Sequence, residues 1–233
     1  MLQVIDVCSS YGEAQVLNKI SVTINPGEIV ALLGRNGMGK TSLVRTIMGL
    51  GSPHLTQGEI LMQGQSIISL NSNLISNLGI GYVPQGRRLF QSLTVLEHLT
   101  VLDNKKTNTW NVDRVLKAFP RLAERLHHRG NQLSGGERQM LAIGRALMTG
   151  PSIMLMDEPT EGLAPVTVEL VESILSTLRD EGLGILLVEQ NLYSALAVAN
   201  RVYIIETGQI VWEGLPSILL SDQKILERYL GIH

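Results

Sequence analysis

Residues 34–41 read Gly34-Arg35-Asn36-Gly37-Met38-Gly39-Lys40-Thr41 (GRNGMGKT), which fits G-x-x-x-x-G-K-[ST] without a mismatch. Before this stretch, Glu28 to Leu33 (EIVALL) is a short apolar run suited to a buried parallel strand. After it, Ser42 to Leu50 has helical apolar spacing. Strand, glycine loop and helix together are the context in which this pattern cradles phosphate. Gly34, Gly37 and Gly39 lack Cβ atoms, so the backbone there is expected to take positive φ and bring its N–H groups close to phosphate oxygens. The helix N-terminus adds partial positive charge. Lys40 is the expected point charge for the β- and γ-phosphates, Thr41 the expected Mg²⁺ ligand, and Ser42 a partner for the α-phosphate. Asn36 and Met38 complete the expected nucleotide-binding loop. The bland alternative is a tight glycine turn that carries a lysine, and the flanking strand and helix weigh against it.

The 233 residues suffice for a sizeable core. Hydrophobic residues make up 44% and charged ones 17%, the balance of a globular chain rather than a disordered one. With 19 basic and 21 acidic residues the net charge is −2, so no basic excess points to nucleic acid as a partner. Apolar runs such as Gly184 to Val188 are far shorter than the roughly 20 residues a membrane helix needs. The N-terminus MLQVIDV lacks a basic region before an apolar core. The chain is therefore expected neither to span a membrane nor to be secreted. A lone Cys8 excludes an internal disulfide, fits a reducing compartment and reads as a buried strand residue.

The carboxyl ends of the other apolar runs carry the chemistry. Ile153 to Met156 (IMLM) delivers Asp157 and Glu158 at the edge where open α/β sheets bind ligands. Asp157 is expected in the Mg²⁺ shell and Glu158 beside the attacking water; adjacent acids after a strand can also simply cap the next element. Gly79 to Val83 (GIGYV) ends at Pro84-Gln85-Gly86, where an amide oxygen is placed to reach the metal, or where Gln85 is an ordinary loop residue. Residues 2 to 8 and Ile20 to Ile24 alternate as half-buried strands. Between them Tyr11 either stacks on an adenine ring with Val16 at its other edge or covers the core rim.

Gly51 to Gly58 reads as a polar break before a strand Glu59 to Met62, with a weakly patterned segment following to Asn77. Thr94, with Glu97 three residues on, forms a capping box. Helices at Val112 to Phe119 and Arg121 to Leu126 are separated by Pro120, and no strand pattern returns until Ile153, so this region is a helical insertion. Leu133-Ser134-Gly135-Gly136-Glu137 opens the next helix with a second capping box. Two glycines at its first positions are costly for a helix needing only a cap, so something, most naturally an anion, has to approach the backbone closely. Pro165 to Asp180 reads as a helix, Gly184 to Val188 as a central strand and Leu192 to Ala199 as a short helix. Arg201 to Trp212 reads as a hairpin, and Leu215 to Leu230 as two short helices.

A phosphate loop, a Gln85 strand end, LSGGE before a helix and IMLMDEP after it, in that order, resemble the ATP-binding subunits of ATP-binding cassette transporters along nearly the whole chain. LSGGE is the most diagnostic element. The resemblance implies an α/β phosphate-loop ATPase core, mostly a parallel sheet flanked by helices, with an antiparallel β region (residues 1–86 and 149–233) and a helical subdomain (87–148). It implies a head-to-tail dimer in which Leu133, Ser134, Gly135, Gly136 and Glu137 of one copy close on the ATP of the other. It places Tyr11 at the family's adenine-stacking position. Thr41, Gln85 and Asp157 become the Mg²⁺ ligands, and Glu158, Gln190 and Lys40 the catalytic group.

Two departures stand out. Ala164 occupies a position where many members have aspartate, and Gln190, within VEQN, stands at the switch usually held by histidine. A glutamine amide donates a hydrogen bond but carries no charge, so electrostatic stabilisation there is weaker. YVPQGRRLF, DEPTEGLAP and VEQN together look like the second ATPase of branched-chain amino acid uptake systems, whose relatives serve urea and short amides. Gln85 is more usual in the urea type, where the branched-chain type more often has glutamate. Lipid and lipopolysaccharide exporters of this size generally keep the switch histidine.

The expected partners are two membrane-spanning permease subunits, a second ATPase and, indirectly, an extracytoplasmic solute-binding protein, with the chain at the cytoplasmic face of the membrane. A partner helix is expected in the groove between Gln85 and the helical subdomain, with Arg87 and Arg88 as candidate contacts. The competing readings are a cassette ATPase acting on nucleic acid or the ribosome, against which the missing basic extensions count, and a phosphate-loop kinase or GTPase, which LSGGE opposes.

Overall fold

The computed structural model describes residues 1–101 and 110–231. The stretch 102–109 of the expected helical insertion lies outside the described residues. The strands are β1 (Leu2–Tyr11), β2 (Ala14–Ile24), β3 (Ile29–Leu33), β4 (His54–Met62), β5 (Gln65–Ser66), β6 (Ile80–Val83), β7 (Ile153–Asp157), β8 (Gly184–Glu189), β9 (Arg201–Glu206) and β10 (Gln209–Gly214). The helices are α1 (Lys40–Ile47), α2 (Ser72–Asn77), α3 (Val95–Thr100), α4 (Val112–Ala118), α5 (Pro120–Glu124), α6 (Gly135–Leu147), α7 (Pro165–Asp180), α8 (Leu192–Val198), α9 (Pro216–Ser221) and α10 (Gln223–Ile225). α10 continues into a π-helical turn, Leu226–Leu230.

The strands form two sheets, ordered β2-β1-β4-β5 and β10-β9-β3-β8-β7-β6. In the larger, β3 runs parallel to β8 and β9, and β7 runs parallel to β6 and β8. β10 is added antiparallel at one edge by the hairpin. β3, β7 and β8 are buried along their whole length, which is why they are written as continuous apolar runs rather than as alternations. Alternate side chains still sort to opposite faces, as the strand pleat requires. Ile153 and Leu155 pack with α1 and the smaller sheet, whereas Met154 and Met156 pack with α3–α7. The register sets Leu33 opposite Glu189, Asp157 opposite Val188 and Val83 opposite Met156, so the carboxyl ends of β3, β8, β7 and β6 lie level along one edge. Those four ends carry the phosphate loop, Gln190, the two carboxylates and Gln85.

Two boundaries differ from the sequence expectation. β4 begins at His54, inside the expected polar break, because it pairs backbone to backbone with β1 (His54 opposite Ser10). Most of its first half is exposed, so no apolar alternation marks it. α1 begins at Lys40 rather than Ser42, with Gly39 at its N-cap in left-handed conformation, φ 108°. This places Lys40 and Thr41 in the first helical turn. Both expected capping boxes form: Thr94 with Glu97 on α3, and Ser134 with Glu137 on α6. Pro120 ends α4 and starts α5.

Candidate functional site

A cavity of about 310 Å³ opens at the carboxyl edge of the large sheet, lined by Asn36, Gly37, Gly39, Lys40, Thr41, Ser42, Gln85, Glu158 and Glu161. The first turn of α1 faces it with no side-chain cap and no acidic residue, leaving its N–H groups to meet an anion. Gly37 and Gly39 take positive φ, 80° and 108°, as expected. Gly34 does not, and its glycine has another cause: a Cβ there would meet the Ile205 carbonyl oxygen at 2.5 Å, so β9 packs where a side chain would be. Lys40 is buried (4% exposed). Its Nζ donates to the carbonyls of Gly34 at 2.7 Å and Arg35 at 3.2 Å and lies 3.6 Å from Glu158 Oε1. One positive charge therefore sits between the loop backbone and the carboxylate at the end of β7.

Thr41 Oγ1 donates to Asp157 Oδ1 at 3.2 Å. Asp157 Oδ2 is buried and has no hydrogen-bond partner among the described residues. Burial raises the Asp157 carboxyl above its usual range, the Thr41 bond opposing it and the neighbouring Glu158 charge adding to it. A buried, unpaired oxygen on a carboxylate already bonded to a hydroxyl suits a hard cation held jointly by protein and phosphate oxygens. Among the described residues no cluster of three acidic, histidine or cysteine side chains forms a stand-alone cage.

Glu158 follows β7 with φ 50°, an uncommon left-handed conformation for a non-glycine residue, and its N–H donates to the Val188 carbonyl at 2.9 Å. Its Oε2 accepts from Gln85 Nε2 at 2.8 Å. The carboxylate after β7 and the amide after β6 are thus in direct contact. β8 ends in Glu189, which is 2% exposed and accepts from Thr160 N at 3.1 Å, Thr160 Oγ1 at 2.7 Å and Gln190 N at 3.3 Å. Burial pushes the Glu189 carboxyl up and the Thr160 bonds partly restore it.

The remaining expected residues are less central. Gln190 does not line the 310 Å³ cavity; it lines two flanking ones, about 480 Å³ with Arg35 and Asn36 and about 380 Å³ with Glu158 and Glu161. Tyr11, 41% exposed, stands at the rim with its hydroxyl 3.4 Å from Ser42 Oγ. Val16 packs against the core, as does Met38, whose sulfur accepts from Thr207 N at 3.3 Å and so turns away from the cavity. Glu161, Thr160 and Glu189 are the participants that the sequence reading did not single out. The signal for Glu161 was present in DEPTEGLAP, a third acid three residues beyond Glu158.

None of Leu133, Ser134, Gly135, Gly136 and Glu137 lines this cavity. Ser134 Oγ accepts from Glu137 N at 3.2 Å while Glu137 Oε2 accepts from Ser134 N at 2.7 Å. Burial works against the Glu137 carboxylate, but the Ser134 bonds and Arg125 hold its pKa below the usual range. Both glycines are closely approached from within the chain as well. A Cβ on Gly136 would meet Thr167 Cγ2 at 2.6 Å, and one on Gly135 would meet Arg87 Nη1 at 3.1 Å.

Arg87 and Arg88 part company. Arg87, with φ 52°, donates to the Glu161 carbonyl. Arg88 lines a groove of about 860 Å³ with Met48, Tyr82, Phe90, Val101 and Arg145. Arg87 does not line this groove; its guanidinium bonds the Glu161 carbonyl instead. Among the described residues no helix is long and apolar enough to cross a membrane.

Comparison with known proteins gives a family match, ABC transporter, over residues 17–161. The chain is 43% identical to the high-affinity branched-chain amino acid transport ATP-binding protein BraG of Pseudomonas aeruginosa, covering 99% of this chain and 100% of that one. It is 36% identical to the lipopolysaccharide export system ATP-binding protein LptB of Haemophilus influenzae, over 97% and 95% of the two chains. It is 35% identical to the probable branched-chain amino acid transport ATP-binding protein LivF of Archaeoglobus fulgidus, over 100% and 99%. Among solved structures, the ADP conformation of an ATP-binding cassette of an ABC transporter superposes with a TM-score of 0.84 at 27% identity, over 100% of this chain and 99% of that one. A dimeric bacterial ABC transporter cassette superposes with a TM-score of 0.80 at 28% identity, over 93% and 99%.

Proposed function

The chain belongs to the ABC transporter family of ATP-binding subunits, and from that premise we propose that it hydrolyses ATP to drive import of branched-chain amino acids through membrane-spanning partner subunits. The observation that carries the reading is the convergence, in one cavity, of the α1 N-terminus, Lys40, Thr41 backed by its bond to Asp157, and the Glu158–Gln85 pair. The full-length similarity to BraG supports the solute class.

The triphosphate lies along the phosphate loop, with α1 N–H groups and the Lys40 ammonium neutralising its charge. Thr41, Gln85 and Asp157 would hold Mg²⁺, which would supply Lewis-acid neutralisation of phosphate charge. Glu158 orients water for in-line attack and takes its proton. Gln190, at the end of β8, donates a neutral hydrogen bond toward the γ-phosphate. Tyr11, at the rim beside Ser42, stacks on the adenine. Ser134 and Gly136 close on the γ-phosphate bound by a second cassette, either another copy or a different ATPase, in a head-to-tail dimer. Residues 87–148 act as the helical subdomain that carries this motion to a membrane-subunit helix seated in the Arg88–Phe90 groove at the cytoplasmic face of the membrane.

The test is co-purification of the tagged Glu158→Gln protein with ATP from its native membranes. Recovery of two multi-span proteins, a second ATPase and a branched-chain amino acid-binding protein is the expected result. A urea- or amide-binding protein in that set would reassign the solute, a possibility that Gln85 favours. Ribosomal or DNA-bound proteins without a membrane partner would overturn the transport reading.

A further inference from the structure

Gln85 Nε2 donates to two carboxylates at once, Glu158 Oε2 at 2.8 Å and Glu161 Oε2 at 3.0 Å. An ionised carboxylate only accepts, and a carboxamide nitrogen has two N–H donors, so both are used. The oxygen Oε1 is then the one atom of the Gln85 head group left to accept from, or ligate, anything in the cavity that Gln85 lines. We propose that Glu161 is a positioning residue for the Mg²⁺-ATP site: it fixes the orientation of the Gln85 amide so that its oxygen faces the metal position, and it is the reason a glutamine, not a glutamate, stands at residue 85.

Glu161 is exposed, but its backbone is anchored on three sides. Its carbonyl accepts from Arg87 Nη2 and its N–H donates to the Glu158 carbonyl at 3.3 Å. The preceding Thr160 is clasped by the buried Glu189 through both N–H and hydroxyl. The carboxylate is thus presented to Gln85 by a rigid turn, and less freedom is lost in making the bond than for a mobile side chain. A glutamate at residue 85 would set a third negative charge within hydrogen-bond reach of two others, at 2.8 and 3.0 Å. Like charges that close disfavour ionisation of all three or drive residue 85 out of the cavity. Removing Glu161 instead frees one amide N–H and lets the carboxamide rotate. A partner of a metal ligand typically matters by about 10–100-fold in metal affinity, and an exposed one belongs at the lower end.

The inference rests on the ATPase reading, and its test separates the two. The full chain is compared as wild type, Glu161→Ala, Glu161→Gln, Gln85→Glu and the double variant Gln85→Glu/Glu161→Gln. In nucleotide binding by calorimetry, Glu161→Ala is expected to raise the Mg²⁺ concentration needed for tight ATP binding by about tenfold. Its Mg²⁺-free ATP affinity should stay within about twofold of wild type. Glu161→Gln keeps an acceptor for Gln85 and should restore the Mg²⁺ dependence. Gln85→Glu should lower the urea midpoint of the nucleotide-free, metal-free protein, and Glu161→Gln should return most of that loss by supplying a donor to the new carboxylate. A Glu161→Ala protein with wild-type Mg²⁺ dependence, or a Gln85→Glu defect indifferent to residue 161, would overturn the proposal. A wild-type chain that bound no Mg²⁺-ATP would sink the ATPase reading, while the urea cycle would still report whether residues 85 and 161 are coupled.

Discussion

Replacing Glu158 by glutamine should stop turnover while leaving the fold and nucleotide binding intact. The glutamine oxygen can still accept the Gln85 hydrogen bond now made at 2.8 Å, so the contact between the ends of β6 and β7 survives. What is lost is the negative charge 3.6 Å from Lys40 Nζ and the basic oxygen proposed to orient water. Lys40 keeps its two carbonyl partners at 2.7 and 3.2 Å, so the ammonium is not stranded. Two unit charges at 3.6 Å attract by about 4.6 kcal/mol at an effective dielectric of about 20, but desolvation of both offsets most of this. The net stability loss should be at most about 2 kcal/mol, the scale of one charge-assisted hydrogen bond. For a chain of this size that lowers the thermal midpoint by less than about 8 °C. Loss of the general base should cost about 10²–10⁴ in rate, which is about 2.7–5.4 kcal/mol on the barrier. The assay is phosphate release at saturating Mg²⁺-ATP, with light scattering in ATP to follow dimerisation. A folded variant that binds ATP, accumulates as a dimer and barely turns over is expected. Phosphate release within a few-fold of wild type, from protein with a normal midpoint, would refute the assignment of Glu158.

Phe90, 61% exposed at the mouth of the 860 Å³ groove, should be needed for the membrane partner and not for nucleotide. Phe90→Asp is expected to weaken co-purification with the membrane subunits by about 30-fold, a hot-spot effect, with ATP affinity of the isolated chain unchanged; retention of the partners would count against the groove. His98 is buried, with Nε2 accepting from Phe90 N at 3.0 Å and Nδ1 2.8 Å from the Thr94 carbonyl, so a second proton has no acceptor and burial lowers its pKa below 6.5. Its contribution to stability is present above 6.5 and is lost as pH falls through the depressed folded value, because the unfolded chain takes up the proton first. Urea midpoints from about pH 7.5 to 5.5 should fall more steeply for wild type than for His98→Asn, and parallel curves would contradict this.

Arg201 joins Glu28, Thr23, Tyr203 and Glu213 through contacts of 2.7–3.2 Å. Arg201→Met should cost about 2–3 kcal/mol at neutral pH, discounted for partial exposure, or about 5–10 °C in thermal midpoint. Burial raises the Glu28 carboxyl, but its bonds to Arg201 and Asn25 prevail and lower its pKa from 4.5. The difference between wild type and variant should therefore shrink in acid, as protonation of Glu28 removes the same interaction.

Local chemistry was legible in the sequence because it is local. GRNGMGKT needs glycines where its backbone turns, Thr94 and Ser134 cap their helices through residues three positions on, and strands buried on both faces must be apolar throughout. These features point to the α/β phosphate-loop class, the order of elements and most of the residues that line the candidate site. What depends on neighbours distant in the chain was not legible. β4 is a strand because β1 offers it a pairing edge, and polar residues on its solvent face hide that fact. Gly34 is a glycine because Ile205 packs against it, and Thr167 crowds Gly136, neither of which any spacing reveals. Arg87 and Arg88 are adjacent and chemically alike, yet a single left-handed residue sends one to the Glu161 carbonyl and leaves the other in the groove. Glu161 entered the site only through the fold, which sets the ends of β6 and β7 side by side so that one amide can reach two carboxylates. The sequence determined which groups the chain could bring to phosphate chemistry; the tertiary structure decided which of them meet, because strand register and packing alone set distances between residues more than seventy positions apart.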